Sequence, residues 1–196
     1  MKKVLYIIIF TAIASAAMAQ NSYISWQYSL GFTSGDMKDY IKPVSWRGFN
    51  LDYRKFVKSN VGVGFEFGWN VFYENKPYDT YTNGKWDYSG KQYRYSNNVP
   101  ILVSAAYYLK PEEKLSYFAG VGIGTMYSQR NTEMGQYSFQ LDAWHFAMRP
   151  ELGVIFNSQD GVGVSLSTKY YYGVKTGDLP AEGFFTLSIG LLIYQY

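Results

Sequence analysis

The sequence predicts an all-β chain: an eight-stranded antiparallel up-and-down transmembrane barrel that follows a cleaved signal peptide. Three observations carry that expectation. Apolar residues alternate with small or polar ones in eight stretches. A leader precedes them. The connections between the stretches are short and long by turns.

The leader is "MKKVLYIIIFTAIASAAMA". Lys2 and Lys3 precede an apolar run from Val4 to about Ala14, and Ala17-Met18-Ala19 supplies a small-residue cleavage site. Residues 1–19 are therefore read as the signal peptide and residues 20–196 as a single barrel domain. The competing reading is a membrane anchor, but the apolar run is short of the roughly 20 residues that a helical span needs. No cysteine follows the site, so no lipid anchor is expected. No later stretch is apolar enough for a helical span, and the mean hydropathy is −0.20. A chain of this kind crosses a membrane only as a closed barrel, in which every backbone group is paired internally.

The alternation starts in "SYISWQYSLGFT", where Ile24, Trp26, Tyr28, Leu30 and Phe32 oppose Ser25, Gln27, Ser29 and Gly31. In "RGFNLDYRKF", Phe49, Leu51 and Tyr53 oppose Asn50, Asp52 and Arg54. The third stretch, "VGVGFEFGWNVFYE", sets Val63, Phe65, Phe67 and Trp69 against Gly62, Gly64, Glu66 and Gly68. Period two means a strand with two unlike faces. A face of glycines with one glutamate suits a crowded interior better than solvent, so the bulky face looks outward, at lipid. The fourth stretch, about Tyr93 to Leu109, has Val99, Ile101, Val103 and Tyr107 outward, and the fifth has Tyr117, Val121, Ile123 and Tyr127. Trp144 to Phe156, Val162 to Tyr172 and Phe184 to Tyr196 complete the eight.

After the second, fourth and sixth stretches the connections are short: "VKSN", "KPEEKL" and "NSQDG". After the first, third, fifth and seventh they are longer: Ser34 to Ser45, Asn75 to Gln92, Ser128 to Leu141 and Val174 to Gly183. This is the wiring of an outer-membrane barrel, with both termini on the short-turn, periplasmic side and four loops outside the cell. Pro100 and Pro150 fall inside strands, where a closed barrel offers no edge, and each is expected at a bulge or rim. Tyr194 and Tyr196 share parity with the inward Ser188 and Gly190, so a bulge near Ile193 is expected to turn them outward.

Composition narrows the function. The formal charge of +3 falls to +1 without Lys2 and Lys3, which gives no basis for nucleic-acid binding. Zero cysteines exclude disulfides, thiol catalysis and cysteine-bound metal. Aromatic residues make up 20% of the chain, 21 of them tyrosines, as interfacial girdles require.

The leader, the eight stretches, the four long loops and the terminal aromatic Tyr196 together resemble the small OmpA- and OmpX-type barrels of Gram-negative outer membranes. "HFAMRPELGV" and "VPILVSAAYYL" are similar to phrases common in the outer-membrane β-barrel domain family. The resemblance spans the mature chain. It implies contact with outer-membrane lipid and a last strand, ending in Tyr194 and Tyr196, that the barrel assembly machinery reads. It also implies a chain that ends with the barrel, without an appended peptidoglycan-binding domain.

Candidate site residues follow from the faces. Asp52, Arg54, Glu66, Arg149, Glu151 and Lys169 carry inward parity and sum to zero charge. Eight strands leave a lumen just wide enough to be filled by side chains, so these six are expected to pair. Arg54 or Arg149 is the expected partner of Glu66. Phe72, Phe118 and Tyr171 share that parity and add bulk. His145, the single histidine, is followed by Phe146 and Ala147 rather than a nucleophile two residues on, and is expected at the rim or in the lumen without a catalytic role. In the third loop, Tyr73, Tyr93 and Tyr95 fit an upper girdle. Tyr78, Tyr81, Trp86 and Tyr88 either recognise an extracellular protein or glycan or pack a hairpin. The expected function is a structural, adhesive or surface-interaction barrel with no cofactor or metal. A narrow solute channel is the alternative, and a lipid-modifying enzyme a more distant one.

Overall fold

A computed structural model describes residues 22–83, 86–158 and 161–195. The leader at 1–19 and Tyr196 lie outside these residues. Eight strands close into one antiparallel barrel in sequence order. They are β1 (Ser22–Ser34), β2 (Ser45–Lys58), β3 (Val61–Asn83), β4 (Trp86–Leu109), β5 (Leu115–Met134), β6 (Tyr137–Asn157), β7 (Val162–Gly173) and β8 (Glu182–Gln195). One helical turn, α1 (Asp36–Tyr40), lies between β1 and β2. The barrel closes where β1 meets β8, from Ser22↔Gln195 to Ser34↔Gly183 without a break.

Burial follows the alternation. Trp26, Phe65, Phe67, Trp69, Val103 and Ile123 are exposed on the outer face, while Gln27, Asp52, Glu66 and Asn70 are buried on the inner one. The small inward residues make room for large neighbours. A Cβ on Gly122 would lie 3.2 Å from Nε of Arg149, and one on Gly153 would lie 2.6 Å from the Phe118 ring.

Four features differ from the sequence reading. First, the connections read at Asn75–Gln92 and Ser128–Leu141 are mostly strand. β3 and β4 run 23 and 24 residues and stay paired out to Asn83↔Trp86. β5 and β6 stay paired to Met134↔Tyr137. A transmembrane strand needs only about 9–11 residues, so much of each hairpin stands clear of the apolar band. There the outward face meets water, and the apolar–polar contrast that marks a strand in sequence is lost.

Second, neither proline sits at a bulge or rim. Pro100 pairs with Met126 of β5, and the β3 ladder is interrupted opposite it while keeping its register on both sides. Pro150 pairs with Val121 of β5, and the β7 ladder is interrupted there in the same way. Each missing N–H thus falls on one ladder only.

Third, no bulge occurs near Ile193. Tyr194 keeps its inward parity, lies 5.7 Å from the Tyr23 ring in an edge contact, and donates to Oδ1 of Asn157 at 2.6 Å. The last inward positions at this end must be filled, and the tyrosine fills one.

Fourth, the connection from Ser34 to Ser45 is not open loop. It folds back through α1, and Met37 and Ile41 are fully buried inside the barrel mouth.

Candidate functional site: a layered lumen under an open mouth

The interior is filled in layers. At the terminal end, Tyr23, Tyr108, Phe118, Ile155 and Leu192 form an apolar cluster, with Phe56 and Tyr194 against it. Tyr23 and Tyr108 join their hydroxyls at 2.6 Å within it.

Above this lies the charged layer, drawn from β2, β3, β6 and β7. Lys169 Nζ lies 2.7 Å from Asp52 Oδ2 and 3.0 Å from Glu66 Oε2. Arg149 lies 2.9 Å from Glu66 and also pairs with Glu151. Arg54 pairs with Glu151 and lies 3.8 Å from Asp52. Every cation therefore touches two carboxylates and every carboxylate two cations. The six form a closed, alternating ring across the lumen.

The register explains why the ring is needed. Asp52 and Glu66 stand directly opposite one another on β2 and β3, and like charges so placed repel. Lys169 reaches across from β7 and bridges them. Gln27 Nε2 donates to Asp52 at 2.8 Å and the Tyr171 hydroxyl donates to Glu66. Arg54 does not reach Glu66; Arg149 and Lys169 hold it. The carboxylates of Asp52, Glu66 and Glu151 have oxygens within 4.8 Å of one another, and the space between them is taken by side-chain cations.

The next layer is apolar again. Met37 and Ile41 from the α1 segment meet Phe72, Leu102, Met126, Ala147, Tyr171 and Phe184. Side-chain bonds tie the plug to the wall, among them Thr33 Oγ1 to the Ile41 carbonyl at 2.7 Å and the Tyr40 hydroxyl to the Asn131 carbonyl at 2.9 Å. His145 lies buried at this level, with Nδ1 2.7 Å from the Val174 carbonyl oxygen and Nε2 without a partner among the described residues.

Sequence reasoning missed a second charged set at the open mouth. Arg130 Nε donates to Glu182 Oε1 at 2.6 Å, and Arg94 Nη1 donates to the Tyr40 carbonyl at 2.9 Å. Arg130 and Glu182 fall in segments read as loops, where parity has no meaning, and Arg94 falls at the very start of the fourth stretch, with the inward parity of Ser96 and Asn98. Continuing the alternation of Ser96 and Ser128 outward would have found both arginines.

On the outer face Tyr73 and Tyr95 pair across β3 and β4 with ring centroids 5.0 Å apart. Tyr78 is 76% exposed near the tip of the β3–β4 hairpin, whereas Tyr81 is half-buried and donates to the Pro77 carbonyl at 2.6 Å. The backbones of Trp86 and Tyr88 pair with Asn83 and Tyr81; their side chains lie outside the described residues.

An apolar outer band, a polar filled interior and closure by eight antiparallel strands define a small outer-membrane-type barrel. Comparison with solved structures gives the same fold. Over 90% of this chain and 100% of the other, it is similar to Ail, the attachment invasion locus protein of Yersinia pestis, at 16% identity and a TM-score of 0.50. It is similar to the outer membrane protein OprG of Pseudomonas aeruginosa at 11% identity and a TM-score of 0.56, over 91% and 97% of the two chains. A major outer membrane protein of Thermus thermophilus matches at 8% identity and a TM-score of 0.59, over 90% and 100%. No protein-family model matches the chain, and no curated protein does.

Proposed function

We propose that this protein resides in the bacterial outer membrane, its termini in the periplasm, as a closed, non-catalytic barrel that binds an extracellular protein through its hairpins. One observation carries the reading. β3 loses its β2 partner beyond Arg47↔Val71, and β6 has no β7 partner before Ala147↔Gly173. Beyond those points β3, β4, β5 and β6 remain paired with one another. A four-stranded sheet thus stands above the rim with two open edges. Unpaired edge strands are templates for a partner's strand.

The fold of Ail, named for attachment, agrees with a surface role. The channel reading is disfavoured by the three filled layers. An enzyme would need an activated group, and His145 engages only a backbone carbonyl among the described residues.

The test is a hairpin truncation. Residues 77–91 are replaced by Asn-Gly, joining Lys76 to Gln92, which pair in the native ladder. Wild type and variant should both fractionate with outer membranes and shift on gels with heating. Only wild type should bind host-cell or bacterial surface proteins when displayed on cells. Equal binding by the truncated form and by a second form with the β5–β6 hairpin shortened in the same way contradicts the reading, and recovery of wild type from the soluble periplasm ends it.

A further inference from the structure

Above the plug lies a half-open hollow of about 580 Å³, within the size range of small-molecule sites. Its floor is polar. Arg94 Cζ lies 5.1 Å and Arg130 Cζ 4.7 Å from the centre of the Tyr40 ring. One wall is apolar, made by Met134, Phe139 and Leu141 of the β5–β6 hairpin. Phe139 and Leu141 have the parity of the buried His145 and Ala147, so they face across the mouth. They are nevertheless 44% and 47% exposed.

The two guanidiniums are only partly matched: Glu74 stands opposite Arg94 in the β3–β4 ladder but accepts from the Lys42 backbone N–H at 3.3 Å and makes no ion pair with Arg94. Arg130 has one carboxylate, Glu182, and its buried Nη2 finds no partner among the described residues. Arg94 has no carboxylate within 4.0 Å among the described residues; Nε donates to Gln92 Oε1 at 2.7 Å and Nη1 to the Tyr40 carbonyl at 2.9 Å, both neutral acceptors. Nη2 of Arg94 makes no hydrogen bond among the described residues. Asp178 also lines the hollow but pairs with neither guanidinium. Nearby, the Lys76 ammonium is held below its ordinary value, first by burial and then by the charge of Arg94, with Glu74 opposing.

We propose that this hollow binds a small amphipathic anion, its oxyanion head on Arg94 with Arg130 behind it and its apolar body against Met134, Phe139 and Leu141. A guanidinium with a free edge favours a carboxylate or phosphate oxygen over any neutral head. The apolar wall adds roughly 0.8 kcal/mol per methylene buried, so a bare anion is the weaker ligand. The site does not depend on the hairpin edges and stands or falls apart from the surface-binding reading.

The probe is hexanoate, titrated calorimetrically into the refolded barrel in zwitterionic nanodiscs. Saturable one-to-one binding is expected, with none for hexylammonium, which has the same body and the opposite head. Arg94→Gln should weaken binding at least tenfold. The fold should tolerate this change, since Arg94 is only partly buried and bonds neutral groups. Leu141→Ser, at an exposed position, provides a second variant and should weaken hexanoate several-fold. Adding phosphatidylglycerol to the discs assigns the head. Competition gives the site to a lipid headgroup and its absence to a free acid, and either supports the anion site. Equal binding of hexylammonium, heat that does not saturate, or wild-type affinity in both variants overturns it.

Discussion

Lys169 bridges two carboxylates that face each other across neighbouring strands, each of which otherwise keeps only one cation. Asp52 and Glu66 are cross-strand neighbours, and the ammonium of Lys169 bridges them at 2.7 and 3.0 Å. Removing one member of a buried ionic set leaves an uncompensated charge and costs about 3–5 kcal/mol. Lys169→Met is therefore expected to lower stability by that order in urea unfolding of the refolded barrel. Lys169→Met with Glu66→Gln should recover part of the loss, because the repulsion it exposes is then removed. Failure of the second change to recover anything would mean that the ring does not act as a unit. The outer face gives a separate contrast. Phe67 is exposed in the apolar band and Asn70 is buried inside. Phe67→Arg places a charge in lipid at a cost of roughly 2–4 kcal/mol and should impair insertion into vesicles, read by the heat-dependent gel shift. Asn70→Ser should insert like wild type, since both Asn70 amide atoms lack partners already among the described residues.

At the scale of elements, α1 and the two long hairpins decide what lies above the membrane. Met37 and Ile41 are anchored in the upper apolar layer, so Ile41→Asp should release the segment. Amide exchange at residues 36–41 should then rise while the strands stay protected, and unchanged exchange would contradict the plug. These elements were also the hardest to read. Inside the membrane the lipid enforces alternation, so strand faces and the inward parity of all six ring residues were legible. Beyond the rim no such contrast exists, and paired strand looked like loop. The spacing of Met37, Tyr40 and Ile41 is one helical face, but a single turn is too short to stand out from polar neighbours. The ring's pairing was not legible either. Parity says which side chains share the lumen, and only register says that Asp52 meets Glu66. Pro100 and Pro150 misled because a residue in a closed barrel has two ladders, and loss of one bond on one side leaves the other intact.

At the scale of the molecule, the lumen is closed three times over. An aromatic layer fills the terminal end, a six-membered ionic ring crosses the middle, and the α1 segment seals the top. Opening a water path means separating paired charges in a narrow interior as well as moving apolar side chains. The open population should therefore be very small. The most direct test is planar-bilayer conductance of the refolded protein. Wild type is predicted to show no stable channel, whereas Glu66→Ala, which breaks the ring at two contacts, should show brief flickering openings and lower stability. Steady, well-defined conductance in wild type would contradict the closed barrel and make solute passage its function.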